Sequence, residues 1–188
     1  MQHSQNNAVI QDMRKWLEKA VIGLNLCPFA RSVYVNNQVR FVVSNARHLD
    51  GFLEELDREL DFLAAADPKE IDTTLLIHPT LLPDFLDFNE VVGIAEEAVI
   101  EHELEGVIQV ASFHPQFQFD GTEPDDIGNY TNRAPYPTLH LIREESLEGA
   151  VASHPDPDSI YERNIETLQK LGHEGWQALG IRASTDEQ

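Results

Sequence analysis

Apolar side chains recur at helical spacing in two segments near the start of the chain. In residues 8–23 the apolar positions follow a period of about 3.6, and they are Val9, Met13, Trp16, Leu17 and Ala20. Residues 48–66 show the same period, and Asp67-Pro68 ends the run. Both patterns predict amphipathic helices that bury one face.

Four shorter segments have the β-branched and apolar content of strands, and they are 38–44, 73–78, 107–113 and 138–143. Three further helices are predicted at 84–104, 145–152 and 157–171, followed by a tail that contains Trp176. Asp84 is the expected N-cap of the first of these helices. Because the segment 73–78 is almost entirely apolar, we expect its strand to be buried on both faces.

The alternation of the first three strands with helices predicts parallel pairing and right-handed crossovers. A long loop without a helix precedes the fourth strand, which can therefore pair antiparallel. We predict an α/β sandwich, with α+β as the alternative, on a mixed, mostly parallel four-stranded sheet flanked by helices. We place it in a single domain over residues 8–180, with flexible termini at 1–7 and 181–188.

Charge and composition narrow the classes of partner. The 188-residue chain has a net charge of −20, and residues 67–188 carry almost all of it. Such a surface repels phosphate backbones and anionic lipid, so we expect neither nucleic-acid nor membrane binding. The sequence has no apolar run long enough to cross a bilayer, no secretory signal and a single cysteine, which favours the cytoplasm.

Two histidines follow predicted strands and precede prolines, at His78-Pro79 and His114-Pro115. If the strands 73–78 and 107–113 run in the same direction, both histidines lie at the edge of the sheet where ligands of open α/β sheets bind. This placement makes His114 a candidate acid or base, and it makes both histidines candidate metal ligands. Ordinary strand termination is the alternative.

The loop 114–137 is longer than a connector requires, which favours either a functional or a disordered segment. Its candidate substrate-binding side chains are Asn129, Thr131, Asn132 and Arg133. Arg133 offers a planar fork for a carboxylate or phosphate, so the loop indicates an anionic small molecule. An ion pair with Asp125 or Asp126 is an equally good explanation of this arginine.

Cys27 and His140 complete the candidate catalytic residues. Cys27 could act as a nucleophile paired with His114, although a small buried hydrophobe is the simpler interpretation. His140 falls inside a predicted strand, where a hydrogen-bonded core histidine is more common than a base. The short motifs of nucleotide, serine-hydrolase, zinc-protease and redox sites do not occur, so the sequence identifies no cofactor.

Several phrases of the chain resemble a known family when they are taken together. They are NLCPFA at 25–30, HPQFQF at 114–119, TNRAPYPTLH at 131–140, Trp16-Leu17 and YERN at 161–164. In this combination they resemble the mostly bacterial domain-of-unknown-function family 1415 (DUF1415) from about residue 8 to 180. The family has no assigned activity, so the resemblance implies one cytoplasmic domain and no mechanism. It also implies a signature that includes Cys27, His114, Asn132, Arg133 and His140.

Three functions therefore follow from the sequence as hypotheses. The first is a small-molecule enzyme with its site at the strand ends and the loop 114–137, acting on an anionic substrate. The second is a non-catalytic, acidic interaction or regulatory protein that recognises a basic partner. The third is a metal-binding protein that uses the histidines.

Overall fold

The computed structural model describes residues 2–184. Its helices are α1 (Gln2–Trp16), α2 (Ala30–Val35), α3 (Leu49–Ala65), α4 (Phe85–Glu101), α5 (Glu144–Ala152) and α6 (Ile160–Ala178). Its strands are β1 (Val39–Val43), β2 (Thr73–Ile77), β3 (Ile108–Phe113) and β4 (Thr138–Arg143). A π-helical turn, Leu17–Val21, continues α1, and 3-10 turns cover Ile127–Asn132 and Pro157–Ser159. Within residues 2–184, no helix has both the length and the apolar character needed to span a membrane.

The four strands form one mixed sheet in the order β1-β2-β4-β3. β1 and β2 pair in parallel, whereas β4 is antiparallel to both of its neighbours, β2 and β3. The predicted α/β class with a mixed sheet flanked by helices is confirmed, but most pairings are antiparallel where mostly parallel ones were expected. The reason is the position of β4. The other three strands share one direction, and β4 inserts between two of them.

Helices cover both faces of the sheet, and alternate strand residues divide between two apolar clusters. Leu76, Leu139 and Leu141 pack with α3 and α4 on one face, which we call the α3–α4 face. Leu75 and Ile77 pack with α1 and α6 on the opposite face, the α1–α6 face. The strand β2 is buried at every position, as its apolar sequence predicted.

The helix boundaries differ from the predicted ones where the apolar pattern carries no signal. α1 begins at Gln2 rather than near residue 8, because polar and mostly exposed side chains can extend a helix without any apolar repeat. α2 was not predicted, and it buries none of its residues. α6 continues past Gly172, where a positive φ of 66° kinks it, and so includes the buried Trp176 that was expected in a tail. Of the predicted C-terminal flexible segment, residues 185–188 lie outside the described residues.

Candidate functional site

The two strand-end histidines lie at the same edge of the sheet. β2 and β3 both run antiparallel to β4 between them, so His78 and His114 follow strands that end on the same side. Both residues are completely buried. The ring of His78 contacts Phe52 of α3, and the ring of His114 contacts Phe88 of α4. Both histidines therefore point to the α3–α4 face.

His78 and His114 make the same pattern of hydrogen bonds. The Nδ1 atom of His78 accepts from the backbone N–H of Leu81 at 2.8 Å, and its Nε2 lies 3.0 Å from the carbonyl oxygen of Ala46. In His114, Nδ1 accepts from the N–H of Gln116 at 2.9 Å and Nε2 lies 2.9 Å from the carbonyl oxygen of Leu82. Because each Nδ1 accepts, each Nε2 carries the proton and donates it.

These contacts assign both rings a structural use within the fold. Burial lowers the pKa of His78 and of His114, so both imidazoles are neutral at pH 7. A metal or a proton-accepting role would require one of the existing hydrogen bonds to break. Within residues 2–184, no three His, Cys, Asp or Glu side chains lie close enough together to hold a metal ion.

The side chain of Asn129 organises the long loop from inside. It is fully buried, and its Oδ1 accepts from the backbone N–H of Phe119 and the hydroxyl of Thr122, each at 2.9 Å. Its Nδ2 donates to the carbonyl of Glu123 at 2.8 Å. Thr131 similarly donates to the Oδ1 of Asn132, at 3.0 Å. These polar groups are therefore largely used in holding the loop together.

Arg133 binds the same loop from its C-terminal end. Its Nε donates to the carbonyl of Phe117 at 3.0 Å and its Nη2 donates to that of Pro124 at 2.5 Å. The guanidinium also lies 4.3 Å from the centre of the Tyr130 ring. Among the described residues, Arg133 forms no ion pair with Asp125 or Asp126. The arginine thus acts as a clamp on backbone carbonyls in this structure.

A cavity of about 650 Å³ lies on the α1–α6 face of the sheet. All four strands contribute to its floor, with Val39 from β1, Leu75 from β2, Phe113 from β3 and His140 from β4 among the lining residues. The end of α1 and the helices α2 and α5 form its walls and roof. Neither α2 nor α5 contains a buried residue, so this side of the sheet is covered by two loosely packed short helices.

His140 is the main polar group on the cavity floor. Its Nε2 lies 2.6 Å from the hydroxyl oxygen of Thr73, and that hydroxyl donates to the carbonyl of Leu141 at 2.7 Å. Because the hydroxyl proton goes to Leu141, the Nε2 of His140 carries a proton and its Nδ1 is an acceptor. Burial lowers the pKa of His140 to about 4. The residue nevertheless keeps some accessible surface, because it faces the cavity.

Cys27 lies where this cavity meets a second one of about 430 Å³. The two cavities share the lining residues Val21, Cys27 and Phe113. Burial raises the pKa of the Cys27 thiol, and backbone hydrogen bonds from Phe29 and Ala30 offset only part of that effect. The thiol is therefore protonated at pH 7. His114 lies on the opposite face of the sheet, so the structure does not bring this predicted pair together.

The predicted site residues thus fall into two groups. Cys27 and His140 line the larger cavity, and Thr131 and Asn132 line the smaller one. His78, His114, Asn129 and Arg133 line neither of them. Sequence reasoning missed Thr73 and Trp16 as cavity residues. For Thr73, a signal existed in the alternation of β2, which places a hydroxyl on the same face as Leu75 and Ile77.

Comparison with family models gives a match over most of the chain. The model of a family described as "Protein of unknown function (DUF1415)" matches residues 8–178. Searches of the curated proteins and of the solved structures find no match.

Proposed function

We propose that this chain, which belongs to the DUF1415 family, binds a small and mainly apolar molecule in the cavity on the α1–α6 face of its sheet. The cavity itself carries the proposal. Its volume of about 650 Å³ lies within the range of small-molecule sites, which are mostly apolar with a few polar groups. Protein interiors are otherwise packed without large voids. An opening of this size beneath two loosely packed helices therefore supports ligand binding.

One polar atom in the cavity lining indicates what the molecule carries. The Nδ1 of His140 is an acceptor with no hydrogen bond to another described residue, and the residue lines the cavity. A ligand that donates a hydrogen bond to this atom gains affinity. A hydroxyl or amine group meets this requirement.

The lining also argues against an anionic ligand in this cavity. No Lys or Arg is among its lining residues, whereas Asp72 is. The guanidinium of Arg133, the anchor expected from the sequence, is bonded to backbone carbonyls of the loop. The ligand that we propose is therefore uncharged or cationic.

Turnover of the bound molecule stays a prediction. Burial raises the pKa of Cys27 and lowers that of His140, so neither a thiolate nor an imidazolium is present at pH 7. Binding alone is the function that these protonation states support best. The acidic interaction protein is the weaker alternative, because recognition of a basic partner by charge requires no apolar cavity.

Binding of N-phenyl-1-naphthylamine, an uncharged apolar fluorophore, tests the proposal. We expect a saturable fluorescence increase with one site per chain. Ala150→Trp fills the cavity from α5, and Ala111→Trp fills it from β3. We expect each variant to weaken binding by at least about tenfold, which corresponds to 1.4 kcal/mol. Ala64→Trp, on the exposed face of α3, is the matched control.

Circular dichroism and thermal unfolding establish that each variant is folded. Absence of saturable binding to the natural sequence would overturn the proposal. So would full-strength binding to both filled variants when both are folded. Reduced binding in the Ala64→Trp control would show that the probe reports on general surface changes and would also count against the cavity.

A further inference from the structure

The smaller cavity lies beside the larger one, and a higher share of its lining surface is polar. Its volume is about 430 Å³, and it lies between the 3-10 turn Ile127–Asn132 and the start of α6. Asn132 and Asn164 contribute amide groups to its lining, and Asp158 contributes a carboxylate. Both cavities offer mainly apolar surface, but the polar share is higher in the smaller one, so a polar head group suits the smaller cavity and an apolar body suits the larger.

The hydrogen bonds of Asn164 fix the direction of its amide. Its Nδ2 donates to the carbonyl of Leu26 at 2.8 Å. That bond orients the group and leaves its Oδ1 as an acceptor with no hydrogen bond among the described residues. Asp158 is exposed, and within residues 2–184 it forms no ion pair. The cavity therefore presents acceptor oxygens with spare capacity.

The carboxylates in the lining of the two cavities have no Lys or Arg beside them in that lining. No Lys or Arg lines the smaller cavity either, whereas Asp158 lines it and Asp72 lines the larger one. The chain as a whole carries a net charge of −20. Opposite charges attract and like charges repel, and at an exposed carboxylate such as Asp158 water and salt reduce the effect without changing its sign. The electrostatic field thus favours a cation over an anion of equal size.

We propose that the two cavities form one site for an amphiphilic amine, with its apolar body in the larger cavity and its ammonium group in the smaller cavity near Asn164 and Asp158. This inference rests on the proposed binding function and names the class of ligand. The ammonium donates to the Oδ1 of Asn164 and pairs with the carboxylate of Asp158. The apolar body then passes Cys27, at the junction of the two cavities.

Competition against bound N-phenyl-1-naphthylamine tests the amine preference. The competitors are n-octylamine, 1-octanol and octanoate, which share one chain length and differ in the charge of the head group. We expect the amine to compete at a concentration about tenfold lower than the alcohol, and the carboxylate to compete least well. Asp158→Asn should bring the amine to within about threefold of the alcohol, since it removes the charge and keeps the shape.

Asp156→Asn is the matched control. Asp156 lies two positions before Asp158 and carries the same charge, but its side chain does not line the cavity. We expect it to keep the preference for the amine. Equal competition by the amine and the alcohol, or a preference that survives Asp158→Asn, would overturn the inference. In either case, saturable probe binding would leave the proposed function standing. Failure of the probe itself to bind would instead remove the proposed function and this inference together.

Discussion

The imidazole of His140 and the hydroxyl of Thr73 form a hydrogen-bonded pair on the floor of the larger cavity, 2.6 Å apart across neighbouring strands. Thr73 pairs in register with Ile142, so the two side chains meet diagonally on one face of the sheet. This hydrogen bond uses the Nε2 of His140 and leaves its Nδ1 as the acceptor. The strands themselves thus fix the orientation of the main polar group in the cavity.

The stability of the protein should fall on acidification because of His140. Burial lowers the pKa of its imidazole from 6.5 to about 4. Between these pH values the unfolded chain binds a proton that the folded chain does not, so stability is lost as the pH falls from 6.5 towards 4. The shift corresponds to up to about 3 kcal/mol. Urea unfolding measures this loss when it is carried out at about pH 7.0 and about pH 4.5, close to the two ends of the range between these pKa values.

The variant His140→Gln isolates this contribution, since burial lowers the pKa of His78 and His114 in the same direction. We expect the variant to lose less stability than the natural sequence over the same pH interval. His48→Gln removes an exposed histidine and should lose as much stability over this pH interval as the natural sequence does. A native NMR titration of His140 with an ordinary histidine pKa would contradict the prediction.

His114→Ala should destabilise the fold by about 2–4 kcal/mol, since it leaves the carbonyl of Leu82 and the amide of Gln116 without their partners. Urea unfolding measures the change. His48→Ala, at an exposed position, should change stability by less than about 0.5 kcal/mol. If His114→Ala were as stable as the natural sequence but lost probe binding, the binding site would lie at the strand ends, as expected from the sequence, and not in the cavity.

Cys27 should react slowly with iodoacetamide at pH 7, because burial raises the pKa of its thiol and the thiolate is the reactive form. We expect the rate to rise with pH well into the alkaline range. As Cys27 is the only cysteine of the chain, mass spectrometry reports this site directly. Saturating N-phenyl-1-naphthylamine should slow the reaction further, since the thiol lines the cavity. A fast reaction at pH 7 that the probe does not affect would be inconsistent with this environment.

Arg133→Lys should loosen the long loop while leaving the sheet intact. A lysine cannot reproduce the two bonds to the carbonyls of Phe117 and Pro124 or the contact with the Tyr130 ring. Hydrogen exchange at the backbone N–H of Phe119 should accelerate by about tenfold or more. Arg31→Lys, at an exposed position on α2, is the control. Unchanged exchange in the loop would mean that the clamp is not needed to order it.

His102 should titrate at a higher pH than an ordinary histidine. Its Nδ1 lies 2.8 Å from the carboxylate of Asp61 and its Nε2 lies 3.0 Å from that of Asp57, and these contacts raise its pKa. The contact of protonated His102 with the two carboxylates therefore stabilises the fold at low pH, and this stabilisation is lost as the pH rises through the raised pKa. This pH dependence is opposite to the one expected from His140. NMR titration should show a lower His102 pKa in Asp61→Asn than in Asp50→Asn, which removes an exposed charge from the same helix. Equal values in the two variants would contradict this pairing.

Local patterns were enough to predict much of the fold. The helical spacing of apolar residues located α3 and α4, and the β-branched and apolar content of four short segments located the strands. Asp84 caps α4 with its side chain as expected. These signals succeed because burial of one face dictates which side chains a helix or strand carries. They fail for α2, which buries nothing and so leaves no periodic trace. They also fail at Gly172, where the helix bends and then resumes.

The candidate site depended on tertiary structure. The sequence by itself determined that polar residues cluster around the loop 114–137 and that a histidine stands at the end of each of two predicted strands. Only the folded chain decided that Asn129 and Arg133 bind the loop's own backbone, while His140 faces a cavity. A sequence records which groups can donate or accept hydrogen bonds. The position of β4 between β2 and β3, and the gap beneath α2 and α5, determine which of those groups the fold itself satisfies and which face the cavity.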